Sequence, residues 1–139
     1  MDERLQQLIA SFLAHSEQQE EEVWSKSDFT DLTFKQLAYI QVIGLLRNPT
    51  LSEIAQGNRV SRPTATVTID RLQQRGYVLK VQSDIDKRSA HVHLTSKGEK
   101  AFRLHQEVHN GIATQLIATL LPTERQCLIS ALQRFFAGL

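Results

Sequence analysis

Residues 60–98 read VSRPTATVTIDRLQQRGYVLKVQSDIDKRSAHVHLTSKG, and they contain the clearest fold signals of the sequence. Its first part, residues 61–75, follows a helical period. Ser61 is a good N-cap, and Pro63 is tolerated because the first turn of a helix has no internal N–H bonds to lose. Gly76 is typical of a helix end. The first part therefore predicts one helix with defined ends.

The second part of the stretch is a hairpin. Residues 77–82 and 90–94 are strand-like, and the second of these runs alternates with period two. The hexapeptide DIDKRS between them, residues 84–89, is charged and turn-prone. Thr95 with Ser96 then predicts the start of a long helix. A helix followed by a β-ribbon indicates a winged helix.

The flanking sequence predicts further helices from apolar periodicity and capping residues. With the long helix just described, they cover residues 2–24, 33–47, 51–58, 95–120 and 123–137. Thr50 and Glu53 form a capping-box pattern for the shortest one, and Gly57 suits its C-terminal position. The helix at 33–47 is predicted to be largely buried through Leu37, Ile40, Val42, Ile43, Leu45 and Leu46. The fold class is therefore mainly α: a winged helix-turn-helix with a two-stranded β wing and long N- and C-terminal helices.

Length and composition indicate one globular domain. The chain has 139 residues, and its 41% hydrophobic and 22% charged content is ordinary for a folded protein. Cys127 is the only cysteine, which excludes an internal disulfide and a Cys-x-x-Cys metal site. The N-terminal MDERLQQL does not resemble a signal peptide, and no apolar run is long enough for a membrane span. A cytoplasmic location is expected.

Charge is unevenly distributed, although the formal net charge is only +1. Residues 59–103 hold ten basic and four acidic side chains, whereas the remainder holds six basic and eleven acidic ones. A basic middle indicates contact with a polyanion. An acidic run, EQQEEE at residues 17–22, is interpreted as a solvated helix face.

The helix at 61–75 has two different faces. Ala65, Ile69 and Leu72 fall together and are predicted to pack on the preceding short helix. The opposite face carries small methyl- and hydroxyl-bearing side chains, which permit close approach to base edges in a major groove ~12 Å wide. Such a face also suits a merely solvated helix, and the helix alone does not decide between the two.

The charged turn favours DNA binding, because Lys87 and Arg88 at a hairpin tip gain little unless an anion lies nearby. Arg88 is predicted to enter the minor groove, with Asp86 holding its guanidinium. An exposed hairpin with ordinary surface charges is the alternative. The predicted DNA-contacting residues are Ser61, Arg62, Pro63, Thr64, Thr66, Val67, Arg71, Asp86, Lys87 and Arg88.

The stretch resembles the MarR family of winged-helix transcriptional regulators. The similarity is carried by V-S-x-x-T at the helix start, D-R-L-x-x-R-G-Y at its end, D-x-R at Asp86 and Arg88, and L-T-x-x-G at residues 94–98. The resemblance implies a homodimer with interleaved first and last helices, which binds a pseudo-palindromic operator in double-stranded DNA. It also implies that a ligand or a redox event tunes the binding.

The apolar residues indicate a homodimer independently of the resemblance. The first helix and the last two helices carry apolar stripes that a monomer of this size cannot easily cover. In the last two helices these residues are Leu116, Ile117, Leu120, Leu121, Leu128, Leu132, Phe135 and Phe136. The single domain 1–139 is therefore divided into dimerisation helices at 1–31 and 96–139 and a DNA-binding part at 32–95.

A narrower similarity points to the FabT-like branch, which represses fatty-acid biosynthesis genes in Gram-positive bacteria. It is carried by F-T-D-L-T-F-K-Q-L, Q-V-I-G, H-V-H-L-T and R-L-H-x-x-x-H. The similarity implies a long-chain acyl group on acyl carrier protein as corepressor. The residues expected to form a ligand cleft are Phe12, Trp24, Phe34, Tyr39, Ile43, His105 and His109. The apolar residues of this set could instead belong to the hydrophobic core of the domain.

Other chemistries remain as alternatives. His105 and His109 lie at i, i+4 on one helix face, and zinc-sensing relatives in the MarR family carry such a pair. Those relatives also supply a histidine from the second helix, where this sequence has Ala38, so no metal or other cofactor is expected. A small-molecule-responsive regulator is a further alternative.

Catalysis and redox sensing have less support. Cys127 could sense oxidants, but a buried bystander thiol is expected. The sequence has no recognisable catalytic spacing, P-loop or dinucleotide fingerprint, so an enzyme is not expected. A winged helix that mediates protein interactions is the remaining alternative, which the basic wing disfavours.

Overall fold

The computed structural model describes residues 2–82 and 90–139. The helices are α1 (Glu3–Ser25), α2 (Phe34–Leu46), α3 (Leu51–Gly57), α4 (Arg62–Gln74), α5 (Ser96–Ala118) and α6 (Pro122–Ala137). The strands β1 (Val78–Gln82) and β2 (Ala90–Leu94) form an antiparallel two-stranded sheet. This order confirms the predicted winged helix. None of the described helices is long and apolar enough to cross a membrane.

Polar caps start most of the helices. The side chains that accept a backbone N–H bond from the first helical turn are those of Asp2, Thr33, Thr50, Ser61 and Thr95. The predicted capping box of Thr50 and Glu53 is present. Such a cap stabilises a helix by about 1 kcal/mol. Because the caps are local in sequence, the observed helix boundaries fall close to the predicted ones.

The core lies between α2, α3, α4 and the sheet. Ala65, Ile69 and Leu72 are fully buried on the inner face of α4, as predicted, and α3 packs against α4. The other members of the core are Leu32, Tyr39, Ile40, Ile43, Leu51, Ile54, Ala55, Tyr77, Val78, Val92 and Ala101. Burial of this face determines which side of α4 is turned outward.

The exposure of α2 differs from the prediction at its C-terminal end. Leu37 and Ile43 are buried, but Leu45 and Leu46 are 67% and 51% exposed. At about 100° per residue, Leu45 falls on the same outer face as Phe34, which is also exposed. The predicted burial is confirmed for Leu37, Ile40 and Ile43 and wrong for Leu45 and Leu46, because only one face of α2 meets the core.

Gly57 ends α3, but for a different reason from the one predicted. An added Cβ would lie 2.8 Å from Val42 Cγ1, so the glycine permits close packing of α3 on α2. The positive φ of the turn after α3 belongs to Arg59, at 54°. Packing rather than a left-handed backbone therefore explains the glycine.

The sheet is attached to the turn between α2 and α3. Val92 N donates to the Pro49 carbonyl oxygen at 2.9 Å, and His91 Nδ1 lies 3.0 Å from the Asn48 carbonyl oxygen. A ring nitrogen bonded to the backbone gives His91 a structural role in the hairpin. These bonds fix the base of the wing against the helices.

The first and last helices bury none of their own residues within the described chain. Leu8 in α1 is 59% exposed, and Phe136 in α6 is 64% exposed. Cys127 is also exposed, so the expectation of a buried thiol was wrong, since α6 has no buried face within this chain. The two helices present apolar surface that a single chain leaves uncovered.

Tyr77 joins α4 to α5 and to the loop before α2. Its ring is fully buried, and its hydroxyl donates a 2.6 Å hydrogen bond to Asp31 Oδ1. Burial, reinforced by this bond, raises the pKa of the Tyr77 hydroxyl well above its usual range. Thr95 N donates to the Tyr77 carbonyl oxygen at 3.0 Å, and Lys97 Nζ lies 4.3 Å from the ring centroid. The contacts made by Tyr77 therefore fix the end of α4 to the start of α5.

Gly98 permits the closest approach in this junction. An added Cβ would collide with the Tyr77 carbonyl oxygen, which explains the glycine of the L-T-x-x-G motif. A backbone oxygen cannot move aside as a flexible side chain can. The first turn of α5 can therefore reach its position only with glycine there.

The Gly98→Ala substitution is expected to lower the free energy of unfolding by about 1–3 kcal/mol, as overpacking of a core does. Urea unfolding followed by circular dichroism measures this quantity. Gly111→Ala in the same helix is the control, because an added Cβ there meets nothing within 4 Å beyond its chain neighbours and its own helix backbone. If Gly98→Ala unfolds at the wild-type urea midpoint, the close approach is not present in solution.

Candidate nucleic-acid interface

The outward half of α4 carries the described members of the predicted DNA-contacting set. Pro63, Thr64 and Arg71 are exposed, and Val67 is 52% exposed although it is apolar. Ser61 and Arg62 are exposed at the start of the helix. A helix with small side chains outward and a fully buried inner face can enter a major groove.

The hydroxyl groups on this face are engaged within the helix. Thr66 Oγ1 donates to the Arg62 carbonyl oxygen at 2.9 Å, and the hydroxyl oxygens of Ser61 and Thr64 lie 2.8 Å apart. The threonine methyl groups and the Val67 side chain remain available on this face, and the hydroxyl oxygens can still accept hydrogen bonds. Methyl groups suit the C5-methyl of thymine.

A polar contact that sequence reasoning missed holds the hairpin on α4. Lys80 on β1 forms an ion pair with Asp70, and the Lys80 backbone N donates to Gln73 Oε1 at 2.8 Å. The Lys80 side chain is mostly buried and that of Asp70 is about half exposed. The ion pair and the Gln73 hydrogen bond thus connect β1 to α4. Nothing in the periodicity of either segment indicates such a pairing.

The tip of the wing, with Asp86, Lys87 and Arg88, lies outside the described residues. Its base is described: β1 ends at Gln82 and β2 begins at Ala90. The roles assigned to Asp86, Lys87 and Arg88 stay predictions.

A cleft between α1 and α2 contains two of the predicted ligand residues. It has a volume of about 630 Å³ and is lined by Glu17, Glu20, Glu21, Trp24, Ser25, Thr30 and Phe34. A narrow continuation passes Leu37 and Val108 to His105. Trp24, Phe34 and His105 therefore border one connected surface between the first helix and the winged part.

The other predicted ligand residues lie elsewhere. Tyr39 and Ile43 are each 1% exposed and belong to the core. Phe12 is 45% exposed on α1 and does not line the cleft. Helical spacing predicts which residues share a face of a helix. It does not predict whether that face meets a cleft or the core, which explains why these three residues were wrongly placed in the cleft.

A cluster of Glu20, His105 and His109 connects α1 to α5. Glu20 Oε1 lies 3.7 Å from His105 Nδ1 and 3.2 Å from His109 Nε2. The centroids of the two imidazole rings are 4.2 Å apart. Burial and then the neighbouring His109 lower the pKa of His105, whereas Glu20 raises it. Glu20 belongs to the acidic run that was interpreted as a solvated face, so the sequence did not indicate its contact with the two histidines. One potential ligand atom from each residue lies within 4.8 Å of the others, a spacing compatible with a metal ion.

Known proteins resemble this chain in sequence and in structure. Residues 32–90 match the MarR family model. The chain is 32% identical over 110 residues to the uncharacterized HTH-type transcriptional regulator YfiV of Bacillus subtilis, covering 78% of this chain and 66% of YfiV. It is 34% identical over 74 residues to the transcriptional repressor MprA of Escherichia coli K12, covering 53% of this chain and 42% of MprA. The chain thus spans only part of the length of these curated relatives.

A solved structure is similar over nearly the whole chain. The crystal structure of Streptococcus pneumoniae FabT in complex with DNA matches with a TM-score of 0.87 and 27% identity. The match covers 99% of this chain and 96% of that chain.

Acid is expected to destabilise the fold through His105. Its folded-state pKa lies below the ordinary value of 6.5, so below about pH 6.5 the unfolded chain binds more protons than the folded one. The free energy of unfolding should therefore fall as the pH is lowered from about 7 to about 5.5. Urea midpoints measure the effect, and His105→Gln should reduce it. An identical pH dependence in His105→Gln and the wild type would contradict this assignment.

Proposed function

The chain belongs to the MarR family, and we propose on this basis that it is a sequence-specific DNA-binding transcriptional regulator that acts as a repressor. The observation that carries the proposal is the outward half of α4, with Val67 exposed between threonines while the inner face is held in the core. Similarity to FabT in complex with DNA supports DNA binding. Similarity to the transcriptional repressor MprA supports repression. The matched family and relatives are transcriptional regulators rather than enzymes.

In the proposed complex α4 lies in the major groove. The methyl groups of Thr64, Thr66 and Val67 contact base edges and supply sequence preference, whereas Arg62 and Arg71 contact phosphates. Lys87 would add a phosphate contact, and Arg88 would enter the flanking minor groove beside Asp86. Phosphate contacts supply most of the affinity and make it dependent on salt.

The regulator is proposed to act as a homodimer. The support is the apolar surface of α1 and α6, neither of which buries a residue within the described chain. Large exposed apolar surfaces mark partner sites. Twofold symmetry would place two α4 helices about 34 Å apart, one turn of duplex, on a pseudo-palindromic operator.

The Arg88→Ala variant is expected to bind the operator more weakly by roughly 1–3 kcal/mol. An operator can be selected from random duplexes with the wild-type protein, and affinity is then measured by fluorescence anisotropy. Arg103→Ala is the matched control, since Arg103 is an exposed arginine on α5, outside the predicted interface. Unchanged affinity in Arg88→Ala would remove the wing from the mechanism.

Salt dependence tests the same proposal in the wild type. The logarithm of the affinity should fall with the logarithm of the salt concentration, by a slope of roughly −0.9 per phosphate contact. A flat dependence would favour the protein-interaction alternative.

A finer proposal concerns the effector and the genes. We propose that the regulator controls the genes of fatty-acid biosynthesis and that a long-chain acyl group on acyl carrier protein is its corepressor. The similarity to FabT and the aromatic wall of the cleft, Trp24 and Phe34, support it. The acyl group would have to bind preferentially the conformation whose α4 helices match the operator spacing. Operator affinity that is unchanged by long-chain acyl carrier protein would exclude this branch and leave the general proposal standing.

A zinc-responsive regulator is the second candidate, and the cluster of Glu20, His105 and His109 favours it. The sequence lacks the histidine expected from the second helix, but Glu20 supplies a third ligand from α1 instead. Nitrogen and carboxylate oxygen ligands suit Zn²⁺. Bound Zn²⁺ would tie α1 to α5, two helices of the proposed dimerisation part, and α5 follows directly after β2 of the wing.

Chelator competition measures Zn²⁺ affinity directly. His109→Ala and Glu20→Gln are expected to lower the affinity by at least tenfold, on the order of the loss of one ligand. His93→Ala, a histidine on β2 outside the cluster, should leave it unchanged. Equal Zn²⁺ affinity in all variants would reject this candidate.

A further inference from the structure

The helix that is proposed to contact DNA carries one carboxylate. Asp70 is the only acidic residue of α4, and it follows Val67 by three positions and Thr66 by four. Residues at these spacings are neighbours on one side of a helix, so Asp70 shares the outward face with Val67 and Thr66. Its side chain is 46% exposed. A negative charge therefore lies on the face that is proposed to meet a polyanion.

Lys80 of β1 pairs with this carboxylate. Lys80 lies on the same face of β1 as the buried Val78, and its cross-strand neighbour Val92 is fully buried. The Lys80 side chain is 29% exposed, and its Nζ donates to Asp70 Oδ1. Among the described residues Lys80 has no second acidic side chain within ion-pair distance, and Asp70 has no second basic one. Within that part of the chain, each of the two charges has the other as its partner.

The backbone of Lys80 is also bonded to α4. Its N–H donates to Gln73 Oε1 at 2.8 Å, and Gln73 lies three positions after Asp70 on the same helix. Two contacts from one strand residue keep the ammonium group beside α4. In the proposed complex this helix fills a major groove ~12 Å wide, whose rims are rows of phosphates. A lysine beside the helix is therefore close to the DNA backbone and is kept from it by Asp70.

The two members of the pair have opposite effects on DNA binding when each is alone. A free lysine at the rim of the groove raises the affinity for any duplex, because phosphate contacts carry no sequence information. An unpaired carboxylate at the same place repels every duplex. As a pair, the two side chains add no net charge to the face, so the base-contacting side chains decide which sequence is bound.

We propose that the ion pair of Asp70 and Lys80 determines specificity for the operator. Asp70 keeps the Lys80 ammonium from the phosphates and so lowers the affinity for DNA without an operator. Lys80 in turn screens the Asp70 carboxylate from the same phosphates. The inference rests on the proposed function, because it requires α4 to lie in the major groove. A purely structural pair would only hold the hairpin on the helix.

Substituting the two residues singly and together tests the proposal. The affinities for the selected operator and for a duplex of unrelated sequence are measured by fluorescence anisotropy at several salt concentrations. Asp70→Asn is expected to bind the unrelated duplex more tightly, by on the order of fivefold at about 0.1 M salt. Its salt slope should be steeper by roughly 0.9, as one added phosphate contact makes it.

The other two variants should behave differently from Asp70→Asn. Lys80→Gln leaves the carboxylate unpaired beside the phosphates, and it is expected to bind both duplexes more weakly by on the order of fivefold. The double variant Asp70→Asn/Lys80→Gln has neither charge. Both of its affinities should therefore return to within about twofold of the wild-type values.

Glu99→Gln is the matched control. It removes the acidic partner of Arg103 in an ion pair on α5, outside the predicted interface, so its salt slope should equal that of the wild type. Lys80→Arg keeps the positive charge and should retain the wild-type preference for the operator. Urea midpoints establish that each variant is folded, and Asp70→Asn alone carries the test if Lys80→Gln does not fold.

Three outcomes would overturn the inference and leave the proposed function standing. The first is operator affinity that is lost in both single variants and in the double variant, which assigns the pair a structural role. The second is weaker operator binding in Asp70→Asn with unchanged affinity for the unrelated duplex, which assigns Asp70 to a base contact. The third is a wild-type salt slope in Asp70→Asn. A wild type that binds no duplex refutes the proposed regulator and this inference with it.

Discussion

The burial of Tyr77 is the constraint on which the position of the proposed DNA-contacting helix depends. Gly76 turns the chain out of α4 with a φ of 82°, and Tyr77 then enters the core completely. Its hydroxyl is bonded to Asp31, and the Arg75 guanidinium donates to the Asp31 carbonyl oxygen at 2.9 Å. On the other side, the Tyr77 backbone meets Thr95 at the start of α5. The end of α4, the wing, α5 and the loop before α2 are thus fixed at one point.

In the proposed regulator this junction would connect an effector site to the DNA-contacting helix. The cleft lies where α1 faces α2, and the cluster of Glu20, His105 and His109 lies where α1 faces α5. Both sites join α1, none of whose residues is fully buried within the described chain, to elements that the Tyr77 junction connects to α4. A ligand that changes how α1 packs would therefore change the relation of one α4 helix to that of the partner in the proposed dimer. Only a ligand with different affinity for the two arrangements can do so.

Much of the fold is predictable because its signals are local. Caps such as Ser61 and Thr95, and the turn at Gly76, are read from neighbours a few residues away. The inner face of α4 follows from helical spacing alone. Gly57 was correctly predicted to lie at a helix end. A glycine is needed there because Val42 of α2 packs close to it, and this contact with another helix is not a local signal.

The candidate sites were less predictable because they depend on contacts between distant segments. The partner of the two histidines, Glu20, comes from a run that looks solvated, and the partner of Asp70, Lys80, lies on a strand. The exposed Leu45 shows the converse, since an apolar residue on a mostly buried helix still faces outward when no element covers that side. Apolar spacing identifies faces, and the tertiary packing decides what each face meets.

In the proposed complex two protomers place their α4 helices in successive major grooves of one duplex. The most direct measurement is the molar mass of the protein–operator complex by analytical ultracentrifugation, combined with hydroxyl-radical footprinting of both strands. Two chains per duplex are expected, with protected segments on one face of the DNA about one helical turn apart. One chain per duplex, or a single protected segment, would contradict it.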